Sequence, residues 1–237
     1  VFGVDHPHSK GWAETLRNTP GVEVAAFYDR SEGSRGLLEE AYASKNFYTD
    51  AEELVENEDF SLAAVLLPNN EAPSVVKMLA EAGKHILLEK PGARSAEELR
   101  PAVEAVKLSR VKLSVGYVRR FHPLAREVKV MVERGLLGRV FSAEGRIGAS
   151  TVRLRNPRHF LFSRGVSGGG ILSWLGVHWF DLLRFMLGSE VESVSAIVGN
   201  VGGEEIDVED AASVALRFEN GAIGSVHAGY FLPDGYD

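Results

Sequence analysis

The chain has 237 residues, a formal net charge of -7 and no cysteine. The acidic balance argues against nucleic acid or an anionic membrane surface as the partner. The lack of cysteine excludes disulfide bonds, thiolate metal ligands and a cysteine nucleophile. No apolar run approaches the length of a membrane span and no signal peptide is recognisable, so the cytoplasm is the expected location.

The first half of the sequence alternates between short apolar strands and amphipathic helices. Strands are predicted at residues 22–28, 62–67, 86–89 and 111–115, and helices at 11–18, 33–43, 73–82 and 95–108. Alternation of this kind is typical of right-handed βαβ units. It predicts an α/β first domain over residues 1–115, built on a doubly wound parallel sheet of the Rossmann type.

The second half changes character. A helix is predicted at residues 124–134, and strands with one exposed face at 140–147, 191–198, 211–218 and 222–228. Glu219-Asn220-Gly221 separates the last two strands and is a strong hairpin turn. We therefore predict an α+β second domain over residues 116–237 with a largely antiparallel open sheet.

A phosphate-binding turn is predicted between a first strand ending at Gly3 and the first helix. Gly3 fits the first glycine of a dinucleotide turn, whereas Asp5 and His8 stand where the second and third would be. Asp29 closes the next strand, where a carboxylate can bind ribose hydroxyls. Asp29 favours NAD because its charge repels a 2′-phosphate, and the neighbouring Arg30 keeps NADP open. The alternative is that Asp29 is only a turn residue.

The apolar run at residues 86–88 ends abruptly in Glu89-Lys90-Pro91. Buried parallel strands bind their ligands just outside their carboxyl ends. Lys90, held between an acid and a residue with a locked φ, is therefore placed for chemistry. The alternative is an ordinary surface lysine that follows a strand.

A glycine-rich segment leads into an apolar helix that carries a histidine. Three glycines at residues 168–170 permit close approach of the backbone to a neighbour. His178 lies on the helix, and Asp181 shares its face three residues later and could orient the imidazole. A buried structural hydrogen bond is the alternative for this pair. Metal-ligand spacing is absent from the histidines, so no metal site is predicted.

Several short motifs follow one another along the whole chain. They are Pro68-Asn69, Ala82-Gly83-Lys84-His85, Glu89-Lys90-Pro91, Gly116-Tyr117, Arg120-Phe121, Pro123, Gly168-Gly169-Gly170, Gly176-Val177-His178 and Asp181. In this order, the motifs resemble those of the Gfo/Idh/MocA family of NAD(P)-dependent oxidoreductases, named for glucose–fructose oxidoreductase and inositol dehydrogenase. The resemblance covers essentially the whole chain, and it implies that the family's first strand begins before Val1 and that C-terminal elements follow.

The resemblance implies hydride transfer between nicotinamide and a carbinol carbon of a sugar or polyol, by a homodimer or homotetramer paired through its open sheets. Lys90 and His178 would be catalytic. The residues expected to bind NAD, or NADP, are Gly3, Asp5, His6, His8, Asp29, Arg30, Pro68, Asn69, Glu89, Lys90, Pro91 and Arg120. Those expected to bind substrate are Tyr117, Trp174, His178 and Asp181.

Three positions depart from the family's pattern. Asp5 replaces the second glycine, Ala72 replaces a histidine, and Trp174 replaces the aspartate four residues before the histidine. In the family's polyol dehydrogenases that aspartate pairs with the histidine and holds a substrate hydroxyl. Two alternatives therefore stay open: a nucleotide-binding sensor or regulator without turnover, and a lyase or glycosidase that recycles its bound NAD.

Restoring the missing acid tests which alternative holds. Trp174→Asp is expected to raise the oxidation rate of polyols, because a general base needs a partner that fixes its tautomer. The rate is followed by NADH absorbance across a panel of sugars and polyols. Rates that equal the parent's with every substrate, in this variant and also in Lys90→Met and His178→Asn, would count against the dehydrogenase.

Overall fold

The computed structural model describes residues 1–38 and 42–233. The chain divides into two compact units, Val1–Gly116 and Tyr117–Asp237. The first contains α1 (Ser9–Asn18), β1 (Ala26–Tyr28), β2 (Asn46–Tyr48), α2 (Ala51–Asn57), β3 (Leu62–Val65), α3 (Ala72–Glu81), β4 (His85–Leu88), α4 (Ala96–Ser109) and β5 (Leu113–Val115). The second contains α5 (Pro123–Glu133), β6 (Ser142–Ser150), α6 (Arg164–Ser167), α7 (Val177–Leu187), β7 (Val191–Gly199), β8 (Ala211–Phe218) and β9 (Ile223–Leu232).

The first unit is built on a parallel sheet joined through Phe2. β1 pairs with β2, and β3, β4 and β5 pair in that order, all in parallel. Phe2 forms parallel bridges to Tyr28 on one side and to Val65 on the other, so the first residues of the chain lie between β1 and β3. Phe2 and Val65 are fully buried in the core. The predicted doubly wound parallel sheet is confirmed.

Two parts of the first unit differ from the sequence-based prediction. The helix predicted at 33–43 is a 3-10 helix at Glu32–Leu37, and residues 39–41 lie outside the described part. β2 and α2 were not predicted, because a three-residue strand and a seven-residue helix are too short to show a period. Asp50 was a usable signal for α2, since its side chain accepts hydrogen bonds from the amides of Glu52 and Glu53.

The second unit carries a four-stranded sheet in the order β6-β9-β8-β7. The pairs β7–β8 and β8–β9 are antiparallel, and the predicted hairpin joins β8 to β9, with Gly221 at a φ of 84°. β6 pairs with β9 in parallel, so the sheet is mixed although mostly antiparallel. One face of β8 is buried under α7 and its neighbours, through Val214, Leu216 and Phe218.

The glycine-rich segment before α7 packs against the start of β8. The amide of Ile171 donates to the carbonyl of Glu209, and the amide of Leu172 donates to the Glu209 carboxylate, both at 3.1 Å. A Cβ added to Gly170 would lie 1.9 Å from the Glu209 carbonyl oxygen. The close backbone approach predicted for the three glycines is confirmed at Gly170.

Gly170→Ala is expected to lower the free energy of unfolding by at least about 2 kcal/mol, because the backbone of Glu209 cannot move aside without breaking its hydrogen bonds. Urea unfolding followed by tryptophan fluorescence measures the change. Gly165→Ala is the matched control, since its nearest atom is 4.0 Å away. Equal stability of the two variants would contradict the prediction.

Candidate functional site

Lys90 is buried at the carboxyl end of β4. The amide of Glu89 donates to the carbonyl of Val65 on the adjacent strand, which keeps the chain in sheet register up to this point. Glu89 is 7% exposed and Lys90 is 2% exposed. The Lys90-Pro91 peptide bond is cis. The alternative of a surface lysine is therefore wrong.

The Glu89 carboxylate is the centre of a buried network. Its Oε2 accepts a hydrogen bond from the indole Nε1 of Trp12 at 2.8 Å and lies 3.4 Å from Nδ1 of His8. Its Oε1 lies 3.9 Å from Nζ of Lys90. Burial alone raises the pKa of Glu89, but the hydrogen bonds from His8 and Trp12 and the charge of Lys90 outweigh it and lower that pKa below its ordinary value. The carboxylate is thus ionised beside the Lys90 ammonium.

The dinucleotide turn is shaped by Gly3. Its φ is +97°, and an added Cβ would lie 2.4 Å from the carbonyl oxygen of Leu66, so only glycine fits. Ser9 opens α1 and donates its hydroxyl to the Gly3 carbonyl. Asp5 is exposed, whereas His6 is buried and accepts a hydrogen bond from the amide of His8 at 3.1 Å. The first glycine of the motif is thereby required sterically, and α1 begins immediately after the turn.

Asp29 ties this turn to the end of β1. Its Oδ2 accepts hydrogen bonds from the amides of Val4 and Asp5 at 2.8 and 3.2 Å. Its Oδ1 accepts from the Ser31 amide at 3.3 Å and from the Ser34 hydroxyl at 3.0 Å. These four hydrogen bonds make Asp29 a turn residue. Because a carboxylate offers about four acceptor positions, a ribose hydroxyl would have to replace one of the four donors, and Asp29 stays a candidate ribose ligand on that condition.

Two further strand ends carry predicted residues. The Pro68 carbonyl follows β3 and accepts hydrogen bonds from the amides of Glu71 and Ala72 at 2.9 and 3.0 Å, which opens α3. Asn69 is buried. Arg30 follows β1, and its Nε lies 2.9 Å from the Glu71 carboxylate. The carboxyl ends of the parallel strands are therefore followed by the turn at Gly3, by Asp29, by Asn69 and by Lys90. Such sheets bind their ligands at this edge.

In the second unit, Arg120 binds Asp181 in a bidentate pair. Nε of Arg120 donates to Oδ2 at 2.7 Å and NH2 donates to Oδ1 at 2.5 Å. Asp181 is 3% exposed, and its hydrogen bonds raise the pKa of Arg120 above its ordinary value. The sequence assigned Arg120 to the cofactor and Asp181 to His178; this pairing of the two with each other was not predicted.

His178 and Trp174 are both buried near the start of α7, at 6% and 7% exposure. A π-helical turn at Leu172–Gly176 precedes α7, and such turns are frequent at functional sites. The ring of Tyr117 meets the His178 ring edge-on, with centroids 6.4 Å apart. Burial, and secondarily the charge of Asp181, raise the pKa of the Tyr117 phenol, so it is a neutral hydrogen-bond donor.

Sequence reasoning missed Trp12, Glu71 and Glu209. Trp12 contacts Glu89 across 77 positions of sequence, and no local pattern marks such a pair. Among residues 1–38 and 42–233, no group of three or more His, Asp or Glu residues is arranged to hold a metal ion. In the same ranges, no helix has the length and apolar character needed to cross a membrane.

Comparison with known proteins covers both units. Residues 1–117 match the oxidoreductase family with an NAD-binding Rossmann fold, and residues 125–237 match the GFO/IDH/MocA C-terminal domain. A solved levoglucosan dehydrogenase in complex with NADH and levoglucosan has a TM-score of 0.85 at 24% identity, covering 100% of this chain and 67% of that one. This last similarity concerns the fold.

Curated relatives are similar to this chain in sequence over part of their own length. Levoglucosan dehydrogenase of Pseudarthrobacter phenanthrenivorans is 29% identical over 210 residues, which are 79% of this chain and 54% of that protein. The scyllo-inositol 2-dehydrogenase (NAD(+)) of Bacillus subtilis is 28% identical over 225 residues, 94% of this chain and 64% of its own. The chain thus spans less than two thirds of the length of these relatives.

The double use of Asp29 leads to a prediction about nucleotide affinity. Asp29→Ala is expected to weaken NADH binding by about tenfold, through loss of the ribose acceptor and of the turn, and to weaken NADPH binding less, because repulsion of the 2′-phosphate also disappears. Isothermal titration calorimetry with both nucleotides measures this. Equal losses would identify Asp29 as a turn residue only, and Asp50→Ala, which removes the acid that caps α2, controls for general destabilisation.

Proposed function

Because the chain belongs to the Gfo/Idh/MocA oxidoreductase family, we propose that it transfers a hydride between NAD and a carbinol carbon of a sugar or polyol. The observation that carries the proposal is the buried Glu89-Lys90 pair at the carboxyl end of β4. A buried ammonium beside an ionised carboxylate is expensive to maintain, and a proton-transfer role accounts for its presence at a ligand-binding edge.

The residues of the first unit fit a dinucleotide. The turn at Gly3 brings the backbone close to Leu66 and opens directly into α1, whose first amides suit a pyrophosphate. We assign the turn residues Gly3, Asp5, His6 and His8 to the phosphates, Asp29 to the adenosine ribose, and Pro68, Asn69, Glu89, Lys90 and Pro91 to the remainder of the nucleotide. When bound, NAD supplies the hydride acceptor.

Lys90 is proposed as the general acid and base. In the oxidation direction the neutral amine form of Lys90 accepts the proton of the substrate hydroxyl at Nζ as the carbinol becomes a carbonyl, and so becomes the ammonium; in the reverse direction that ammonium donates the proton. Glu89 fixes the position of that amine, and its own hydrogen bonds to Trp12 and His8 keep it ionised. Because the pair is nearly excluded from solvent, water does not compete for the proton.

The second unit is proposed to bind the substrate. His178 would serve as a second acid and base or as a hydroxyl ligand, with the Tyr117 ring against its edge. Trp174 would offer an apolar surface to the flat face of a sugar ring. Arg120 is engaged by Asp181, which supports a role for that pair in holding α7 in place rather than in contacting the nucleotide.

A nucleotide-binding sensor without turnover is the second candidate. It is favoured by Trp174 in the position of the acid that normally partners the histidine, and by the engagement of both Asp181 oxygens with Arg120. A lyase or glycosidase that recycles NAD stays open for the same reason. The buried Glu89-Lys90 pair argues for chemistry over sensing, since binding alone does not call for a buried lysine.

The proposed assembly is a homodimer or homotetramer in the cytoplasm. β7 is an edge strand of the second sheet, and Val194, Ile197 and Val198 are 65%, 82% and 52% exposed. Apolar side chains exposed together on an edge strand favour association with another surface.

Lys90→Met and His178→Asn are each expected to lower turnover by about 100-fold or more while changing the Kd for NADH by no more than about threefold, because neither holds the pyrophosphate. Turnover is measured by NADH absorbance with a panel of sugars and polyols. Lys84→Met is the matched control, since Lys84 precedes β4 at the opposite end and donates to the Phe60 carbonyl.

The same panel decides between the candidate functions. NADH binding without steady-state turnover by the parent protein would favour the sensor. Turnover of a substrate without net NADH release would favour the lyase or glycosidase. Turnover by both variants, Lys90→Met and His178→Asn, at the rate of the parent would remove Lys90 and His178 from the mechanism.

A further inference from the structure

Arg30 is a cation at the candidate ribose edge, and its guanidinium is already held. Nε of Arg30 lies 2.9 Å from Oε2 of Glu71. Glu71 has a side chain only 13% exposed, whereas that of Arg30 is 67% exposed. The acid is therefore the fixed partner, and it anchors an arginine that would otherwise move freely in solvent.

Glu71 reaches this position from a different part of the sheet. It follows β3 and immediately precedes α3, and its amide donates to the Pro68 carbonyl. Burial raises the pKa of Glu71, the charge of Arg30 opposes that rise, and the charge of Asp29 adds to it. The influence of Asp29 indicates that the two carboxylates are close enough to interact.

This arrangement bears on which dinucleotide the edge accepts. At the end of the second strand of such folds, an acid binds the 2′-hydroxyl of NAD, and a nearby arginine accommodates the 2′-phosphate of NADP. Here the arginine is present but its charge is matched by Glu71, and Asp29 leaves the group with a net charge of about -1. A 2′-phosphate, with a further charge of about -2, would meet repulsion from this group, and the guanidinium of Arg30 is already paired with Glu71.

We propose that Glu71 is a specificity-determining residue that selects NAD over NADP by holding Arg30 and by repelling the 2′-phosphate. The inference rests on the proposed nucleotide-dependent function. It assigns to Glu71 a role in discrimination and none in the reaction, so its effect is expected in the ratio of the two nucleotide affinities.

Glu71→Gln tests the proposal, because the amide keeps the size of the side chain and removes the charge. The Kd for NADPH is expected to fall by about tenfold, and the Kd for NADH to change by no more than about threefold, since a charge-assisted contact is gained only with the phosphate. Because Arg30 is largely exposed, the gain in NADPH affinity should shrink between low and physiological salt. Calorimetry measures the Kd of the parent and of the variant for each nucleotide at both salt concentrations.

Three further variants test whether the change in NADPH affinity comes from the pairing of Arg30 with Glu71. Glu32→Gln removes an equal charge from the neighbouring 3-10 helix, where Glu32 pairs with Arg35 at 3.6 Å, and is expected to leave NADPH affinity within about twofold of the parent. Arg30→Gln combined with Glu71→Gln should cancel the gain, because the freed cation is then absent. Glu71→Ala provides a second substitution with the same expected direction if Glu71→Gln is poorly folded.

The outcomes separate this inference from the proposed function. An unchanged NADPH affinity in folded Glu71→Gln or Glu71→Ala, with NADH still bound by the parent, would overturn the role of Glu71 alone. An equal gain from Glu32→Gln, or a gain that survives loss of Arg30, would also overturn it. A parent protein that binds neither nucleotide would overturn both the inference and the proposed function.

Discussion

The structure of the nucleotide-binding unit depends on the buried carboxylate of Glu89. A buried charge is tolerated only when its lone pairs are occupied by good donors. The indole of Trp12, the imidazole of His8 and the ammonium of Lys90 surround it, at 2.8, 3.4 and 3.9 Å. Through these contacts one side chain joins the end of β4 to α1 and to the turn that follows Gly3. His8 and Trp12 thus fix strand end, turn and helix together through this carboxylate, and Lys90 adds a compensating charge at the strand end.

Buried acids organise the second unit in the same way. Asp181 receives both arms of the Arg120 guanidinium and thereby joins α7 to the segment that follows Gly116. Glu209 accepts hydrogen bonds from two successive amides at the start of the helical segment that carries Trp174 and His178. In each case the acid binds backbone or a cation outside the reaction. The proposed catalytic groups are thus held by neighbours, which is the usual requirement for a preorganised site.

The ribose edge shows how one charge can serve structure and recognition together. Asp29 accepts four hydrogen bonds from its own chain, so its position is set before any ligand arrives. Arg30, next in sequence, is directed to Glu71 rather than to the same ligand. Two adjacent residues of opposite charge therefore have separate partners, and the acceptance of one nucleotide over another depends on which of those partners a ligand can replace.

The sequence by itself determined the parallel sheet, the hairpin at Gly221 and the order of the site motifs, because strand runs, helical periods and turn residues are local patterns. It also identified Lys90 and His178 as candidates. Only the tertiary structure decided which side chains pair: Trp12 with Glu89 across 77 positions and Arg120 with Asp181 across 61. It alone decided that β6 lies parallel to β9, since alternation along a strand carries no information on the direction of its neighbour. The sequence gives the identity of each charged residue. It does not give the partner, because the partner lies on a distant segment that only folding brings near.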